Sequence, residues 1–214
     1  MEQLSYSEQA YRHIKQKIVS LSLAPGSVIN ERALQRELGF GRTPIREALQ
    51  RLSLEKLVNI LSRRGMFVAD IGITDLPKLF EMRVVLESLA ARTAARRGRP
   101  EHWQRMSAVL TELPDPDQPD YNEAMITVDQ SCHEIIYEAA DNPFLADTLT
   151  THYALSLRLW YYFLNEIGDM RSAVMEHQQI LEALQERDGQ EASRLMGEHI
   201  QAFQEEIQAV MVRG

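Results

Sequence analysis

Residues 41–52 read "GRTPIREALQRL". Arg42 and Arg46 stand four positions apart around a Thr-Pro pair, and Ile45, Leu49 and Leu52 repeat behind them at helical spacing. Thr43 suits a helix N-cap, and Pro44 suits the first helical position, where a missing N–H costs nothing. The stretch predicts a short helix with a basic first turn. That is an odd opening for a chain whose formal net charge is −8.

The flanking sequence explains it. Upstream, Ala10, Ile14, Ile18 and Leu21 predict a helix over 7–21, ended by "LAPGS" at 23–27. Asn30 is a good cap for a helix over Glu31–Leu38, and Gly39 sits where a helix C-terminus wants left-handed backbone. Downstream of Leu54, "LVNIL" and "MFVAD" are short β-like runs joined by the basic turn "SRRG". Two helices, a short turn, a third helix and a hairpin make a winged helix-turn-helix. In that arrangement the N-terminal end of the third helix enters the major groove. The forks of Arg42 and Arg46 match the O6/N7 edge of guanine, and a helix N-terminus favours phosphate. Arg63 and Arg64 on the wing would meet backbone phosphate, with Gly65 permitting close approach. Taken singly, each arginine is an ordinary solvated charge; the module around them points to DNA.

Charge divides the chain at the same place. Residues 1–72 carry 11 Lys and Arg against 7 Asp and Glu, and residues 73–214 carry 12 against 24. The halves are therefore at +4 and −12, so an anionic partner is expected for the first only. The expected domains are 1–72 and 73–214. No apolar run is long enough to span a membrane, the N-terminus lacks a signal-peptide layout, and one cysteine, Cys132, excludes an internal disulfide framework. The expected location is the cytoplasm.

"INERALQRELGFGRTPIREALQRLSLEKLVNILSRRGMFV" resembles the GntR-type winged helix, with its Arg-Thr-Pro-x-Arg-Glu-Ala-Leu core. The resemblance covers about residues 7–70. It implies DNA contacts by Arg32, Arg42, Arg46 and Gly65, and a phosphate contact by Thr43. Gly41 stands where the family commonly has serine, so one hydroxyl is missing.

The remainder predicts helices over 74–97, 100–112, 119–140, 144–166, 170–187 and 190–212, separated by "GRP", "PDPDQP", "DNP", "IGD" and "RDG". An all-α antiparallel bundle follows, making the chain mainly α. Asp129 and His133 lie one helical turn apart on the face of Met125, Cys132, Ile136 and Ala140. His177 shares a face with Val174, Leu181 and Leu184, and His199 with Leu195, Met196, Phe203 and Ile207. His177 and His199 are nearly equidistant from the turn at Asp188–Gly189, which puts them level on adjacent helices. A lone inward histidine is more often a hydrogen-bonded core residue than a ligand. Four such groups at matching heights would carry a large desolvation cost if unpaired, and a divalent metal removes it. One Asp and three His suit zinc first, then nickel, manganese or iron.

"DQSCHEIIYEAADNPFL", "EHQQILEAL" and "MGEHI" are similar to the FCD domain of the FadR subgroup within the GntR family, over about residues 75–212. Its Asp-His-His-His metal pattern falls on Asp129, His133, His177 and His199. Two readings are open for Arg83, on the stripe of Leu76, Leu79, Phe80, Leu86, Ala90 and Ala94. It is either an internal ion-pair partner of Glu87 or Glu134, or a clamp for an effector carboxylate. His152 either approaches the site or packs. Cys132 reads as a buried structural thiol, and "LWYYF" at 159–163 as core or dimer surface.

The expected function is a transcription regulator, acting as a homodimer on a palindromic operator and answering a small carboxylate metabolite; the family resemblance implies a repressor. A dedicated metal-ion sensor is the alternative. An enzyme is disfavoured: "HEIIY" has Tyr137 where a zinc protease needs its second histidine, and no phosphate loop or nucleophile elbow occurs.

Overall fold

The computed structural model describes residues 4–164, 166 and 170–213, the side chains of Ile73 and Arg213 excepted. The chain forms two compact units. One takes the chain up to Ile73 together with Leu157–Tyr162; the other takes Thr74–Ser156 and the chain from Phe163 onward.

In the first unit, α1 (Tyr6–Val19) starts where the Ser5 hydroxyl accepts from Glu8 N–H at 3.2 Å. Asn30 Oδ1 accepts from Ala33 N–H at 3.0 Å and opens α2 (Glu31–Leu38). Gly39 closes it at φ 72°, a left-handed conformation that favours glycine. The third helix, α3 (Arg42–Leu54), departs from expectation at its start. Gly41 is its N-cap, so Thr43 and Pro44 are the second and third helical residues and no side chain caps the helix. Pro44 still costs nothing there, since the first four helical N–H groups have no intrahelical acceptor. Strands β1 (Val58–Leu61) and β2 (Gly65–Val68) pair antiparallel, Val58 opposite Val68 and Leu61 opposite Gly65. Val28 adds a bridge to Phe67. The core is Ala10, Ile14, Ile18, Leu34, Ile45, Leu49, Leu52 and Leu57, all buried. It collects the three helices under the hairpin.

A 3-10 turn (Ile73–Asp75) leads into the remaining helices: α4 (Leu76–Arg97), α5 (Pro100–Thr111), α6 (Tyr121–Ala139), α7 (Pro143–Tyr162), α8 (Arg171–Gln185) and α9 (Gly189–Arg213), which form the helical unit except for the end of α7, from Leu157, which belongs to the first unit. Helix α7 ends at Tyr162, short of the expected 166, and the expected break at 167–169 lies outside the described residues. Asp188 Oδ1 accepts from Gln190 and Glu191 N–H, both at 3.0 Å, and caps α9. Helix α4 packs along α9, α6 along α4 and α5, and α8 against α5, α6 and α9. The close α4–α9 approach needs Gly197: a Cβ there would stand 2.9 Å from Ser88 Oγ.

Candidate metal centre and nucleic-acid interface

Helices α6, α8 and α9 each turn one polar stripe into the bundle. Asp129 and His133 come from α6, His177 from α8 and His199 from α9, and none is more than 5% exposed. One ligand atom from each lies within 4.8 Å of the others. His133 Nε2 is 3.3 Å from His199 Nε2, and the His177 and His199 rings are 4.4 Å apart. Asp129 Oδ1 lies 3.7 Å from His177 Nδ1 and 3.5 Å from His199 Nε2. Asp129 Oδ1 and both ring nitrogens of His177 are buried without a hydrogen-bond partner. Orphaned polar atoms at this depth are costly, and a cation among them would serve Asp129 Oδ1 and one of the two His177 nitrogens. One carboxylate and three imidazoles form the nitrogen-and-oxygen donor set that suits divalent transition metals, so the residues fit such an ion.

The nitrogens that face away from the centre are also held. His133 Nδ1 lies 2.6 Å from Glu87 Oε2, and His199 Nδ1 lies 2.8 Å from Glu176 Oε2. Carboxylates in that position fix the ring and leave Nε2 free to ligate. Tyr153 OH donates to Asp129 Oδ2 at 2.7 Å, leaving Oδ1 free. Glu87 also accepts from Tyr137 OH at 2.9 Å.

Electrostatics follow from this packing. Burial would raise the Asp129 carboxyl, but the three histidines hold it well below the usual carboxylate range. Glu87 is likewise pulled down to about 2, Arg83 and His133 outweighing its burial. Burial, with the His199 charge next, pushes His177 down to about 3. His199 goes up to about 9, because Asp129 and Glu176 outweigh burial.

Arg83 has found the first of its two expected acids. It is buried; its Nε and Nη2 both donate to Glu87 and its Nη1 donates to Ser156 Oγ at 2.7 Å. Glu134 instead accepts from Gln130. His152 stands outside the four-residue group, its Nδ1 2.6 Å from Thr148 O of its own helix. Cys132 is fully buried. Elsewhere on the helical unit, a surface groove of about 680 Å³ is lined by Trp103, Ser107, Gln185 and Arg187 among others, with none of the expected site residues. Glu176, Tyr137, Tyr153 and Ser156 were not expected. Nothing local marks Glu176, because its partner His199 lies on the next helix.

On the N-terminal unit, Arg32, Arg42, Thr43, Arg46, Arg63, Arg64 and Gly65 are all exposed. Arg42, Thr43 and Arg46 share the start of α3, and Arg63, with φ 64°, and Arg64 occupy the hairpin turn. Glu31 of α2 adds a feature: its Oε2 lies 3.2 Å from Arg46 Nε. Arg51, by contrast, is structural, lying 3.6 Å over the Tyr11 ring and donating to Glu8 at 2.7 Å.

Comparison with known proteins agrees with this division. Residues 6–68 match the family described as "Bacterial regulatory proteins, gntR family", and residues 78–202 match the "FCD domain". The chain is 25% identical to the HTH-type transcriptional repressor RspR of Escherichia coli (strain K12), over 95% of this chain and 90% of that one. It is 28% identical to the Nta operon transcriptional regulator of Aminobacter aminovorans, over 92% and 91%. Among solved structures, E. coli McbR/YncC superposes with a TM-score of 0.85 at 21% identity, covering 99% of both chains. A GntR regulator from Rhodococcus sp. RHA1 gives 0.71 at 18%, covering 96% and 99%. These two likenesses show the fold, a winged helix-turn-helix with a helical FCD domain. The chain belongs to the GntR family of bacterial regulatory proteins and carries an FCD domain: it is a transcriptional regulator.

Proposed function

We propose that this regulator is controlled by a small carboxylate metabolite that binds at a divalent metal ion held by Asp129, His133, His177 and His199. The observation that carries this is the convergence of those four buried side chains, with Asp129 Oδ1 and both His177 nitrogens left without partners. A divalent ion, zinc first among the candidates, would supply open coordination positions for an oxygen anion. The chain's own part is to orient His133 through Glu87 and His199 through Glu176, and to exclude water.

DNA binding falls to residues 1–72, with Arg42 and Arg46 reading bases and Arg32, Thr43, Arg63, Arg64 and Gly65 contacting the backbone. A single winged helix covers little DNA, so two copies on a palindromic operator are expected, paired through residues 73–214. The exposed Val85 and Leu89 on α4 support an apolar pairing surface there. Release from DNA on effector binding makes the protein a repressor, acting in the cytoplasm. The coupling expected is ~1–3 kcal/mol.

The test combines metal analysis of the purified chain with anisotropy measurements on operator DNA, run with and without metal and organic acids. Binding of about one metal ion per chain, and a DNA affinity that moves only when metal and acid are both present, is the expected result. A chain that takes up no metal sinks the reading. If metal alone moves the DNA affinity, the ion itself is the signal.

A further inference from the structure

Of the arginines assigned to DNA, one is held by an acid. Glu31 Oε2 lies 3.2 Å from Arg46 Nε, whereas Arg32, Arg42, Arg63 and Arg64 have no ion-pair partner among the described residues. We propose that Glu31 is a positioning residue for DNA recognition: it holds Arg46 in the pose that reads one guanine and keeps it from turning to phosphate at other sequences. This rests on the assignment of base reading to Arg46 above and adds the residue that makes the reading selective.

The two side chains meet because the turn between their helices is fixed. Asn30 caps α2 through Ala33 N–H, which makes Glu31 the first helical residue, and Gly39 at φ 72° ends α2 shortly before Arg42 opens α3. Leu34 of α2 and Ile45 and Leu49 of α3 are buried, so the backbone on both sides of the pair is anchored. The pair itself is partly exposed and contributes little to stability. For general attraction to DNA it is unfavourable, because a carboxylate beside the reading helix repels phosphate. An acid in the first turn of α2 also suits the helix dipole, a structural role that the double variant below separates.

The chemistry of the guanidinium gives the acid a use. A carboxylate beside Nε leaves the terminal Nη1 and Nη2 for O6 and N7 of guanine. A free arginine facing the wrong base turns to a nearby phosphate and recovers affinity, which erodes discrimination. A tethered one leaves its fork unpaired there, so wrong sequences are penalised.

The test uses full-length protein and two DNA probes: a duplex that the protein itself enriches from a random-sequence pool, and the unselected pool. The ratio of the two affinities is measured by anisotropy competition for wild type, Glu31→Gln, Arg46→Ala and the double variant. Arg46→Ala should lower the ratio at least about fivefold. Glu31→Gln should lower it at least about threefold, while binding the pool as tightly as wild type or more tightly. Repeated selection should show the same base position relaxed in both variants. Once Arg46 is alanine, Glu31→Gln should change the ratio no further. An unchanged ratio in Glu31→Gln means that Glu31 merely repels phosphate, and overturns the inference. A loss that persists without Arg46 means that Glu31 reads a base itself or only serves the start of α2, and overturns it too. If Arg46→Ala leaves the ratio unchanged, the base-reading assignment fails first and takes the inference with it.

Discussion

His133 Nε2 stands 3.3 Å from His199 Nε2 although 66 residues separate them in the chain. Each ring is turned there by a carboxylate behind it, Glu87 on α4 for one and Glu176 on α8 for the other. Two imidazole edges so placed share a proton when metal-free, and present two lone pairs to an ion when one arrives.

Metal should stabilise the fold, and the histidines should be required for it. An ion at about a hundred times its Kd adds ~2.7 kcal/mol. That rise in melting temperature should vanish in His177→Ala, while far-UV circular dichroism stays helical. Full metal content in the double variant His177→Ala, His199→Ala would mean that the inward histidines are core packing.

Without metal, stability should fall on both sides of about pH 6.5, the value of an unperturbed imidazole. His199, held up at about 9, keeps a proton that the unfolded chain gives up; its contribution is full below about pH 6.5 and is lost as pH rises through 9. His177, pushed down to about 3, works the other way; its contribution is present above about pH 6.5 and is lost as pH falls toward 3. A bound ion replaces the His199 proton, so the alkaline fall should disappear on loading. Calorimetric melting from pH 5 to 9.5, with chelator and with metal, checks this; a metal-free melting temperature that is flat from 6.5 to 9 contradicts it.

Arg46→Ala should cost ~1–3 kcal/mol of operator affinity and relax the preference at one base position. Arg63→Ala should weaken binding to every sequence alike and reduce the salt slope by about 1. Competition assays against operator and random DNA, repeated over a salt series, separate the two. Equal losses on both DNAs from both variants would remove α3 as the reading helix.

Gly98→Ala should destabilise the helical unit. A Cβ there would stand 2.1 Å from Trp103 Cζ2 and 2.7 Å from Ala94 O, so the side chain that closes the α4–α5 corner must move. Overpacking of this kind costs ~1–3 kcal/mol. At Gly39 a Cβ meets nothing within 4 Å, but φ is 72°, so the cost there is backbone strain instead. Thermal melts of the two variants should differ in that a left-handed-tolerant Asn relieves the loss at 39 and not at 98.

Much of this was legible because helical periodicity is a local signal. Asp129, His133, His177 and His199 could be placed on apolar faces from three- and four-residue spacing, and the turn at Asp188–Gly189 set the level of the last two. The start of α3 was misjudged because Thr43 and Gly41 both suit a cap, and the backbone chose Gly41 at φ −67°, ψ 174°. Glu176 was illegible for a different reason. It lies beside His177 in sequence but serves His199 across 23 residues, and its half-exposed position resembles any surface acid. The partner of Arg83 was one of two acids near it in pattern, and only packing distinguishes Glu87 from Glu134.

Cys132 lies between Asp129 and His133 on α6 and is fully buried. Burial, with the Asp129 charge added, pushes its thiol up, so almost no thiolate is present at neutral pH. Oxidants and alkylating agents therefore meet an inert group while the bundle is closed. Because the chain has one cysteine, a disulfide can only join two chains. A cross-linked band on a non-reducing gel thus counts molecules that have opened, and a native pair of subunits leaves no such mark.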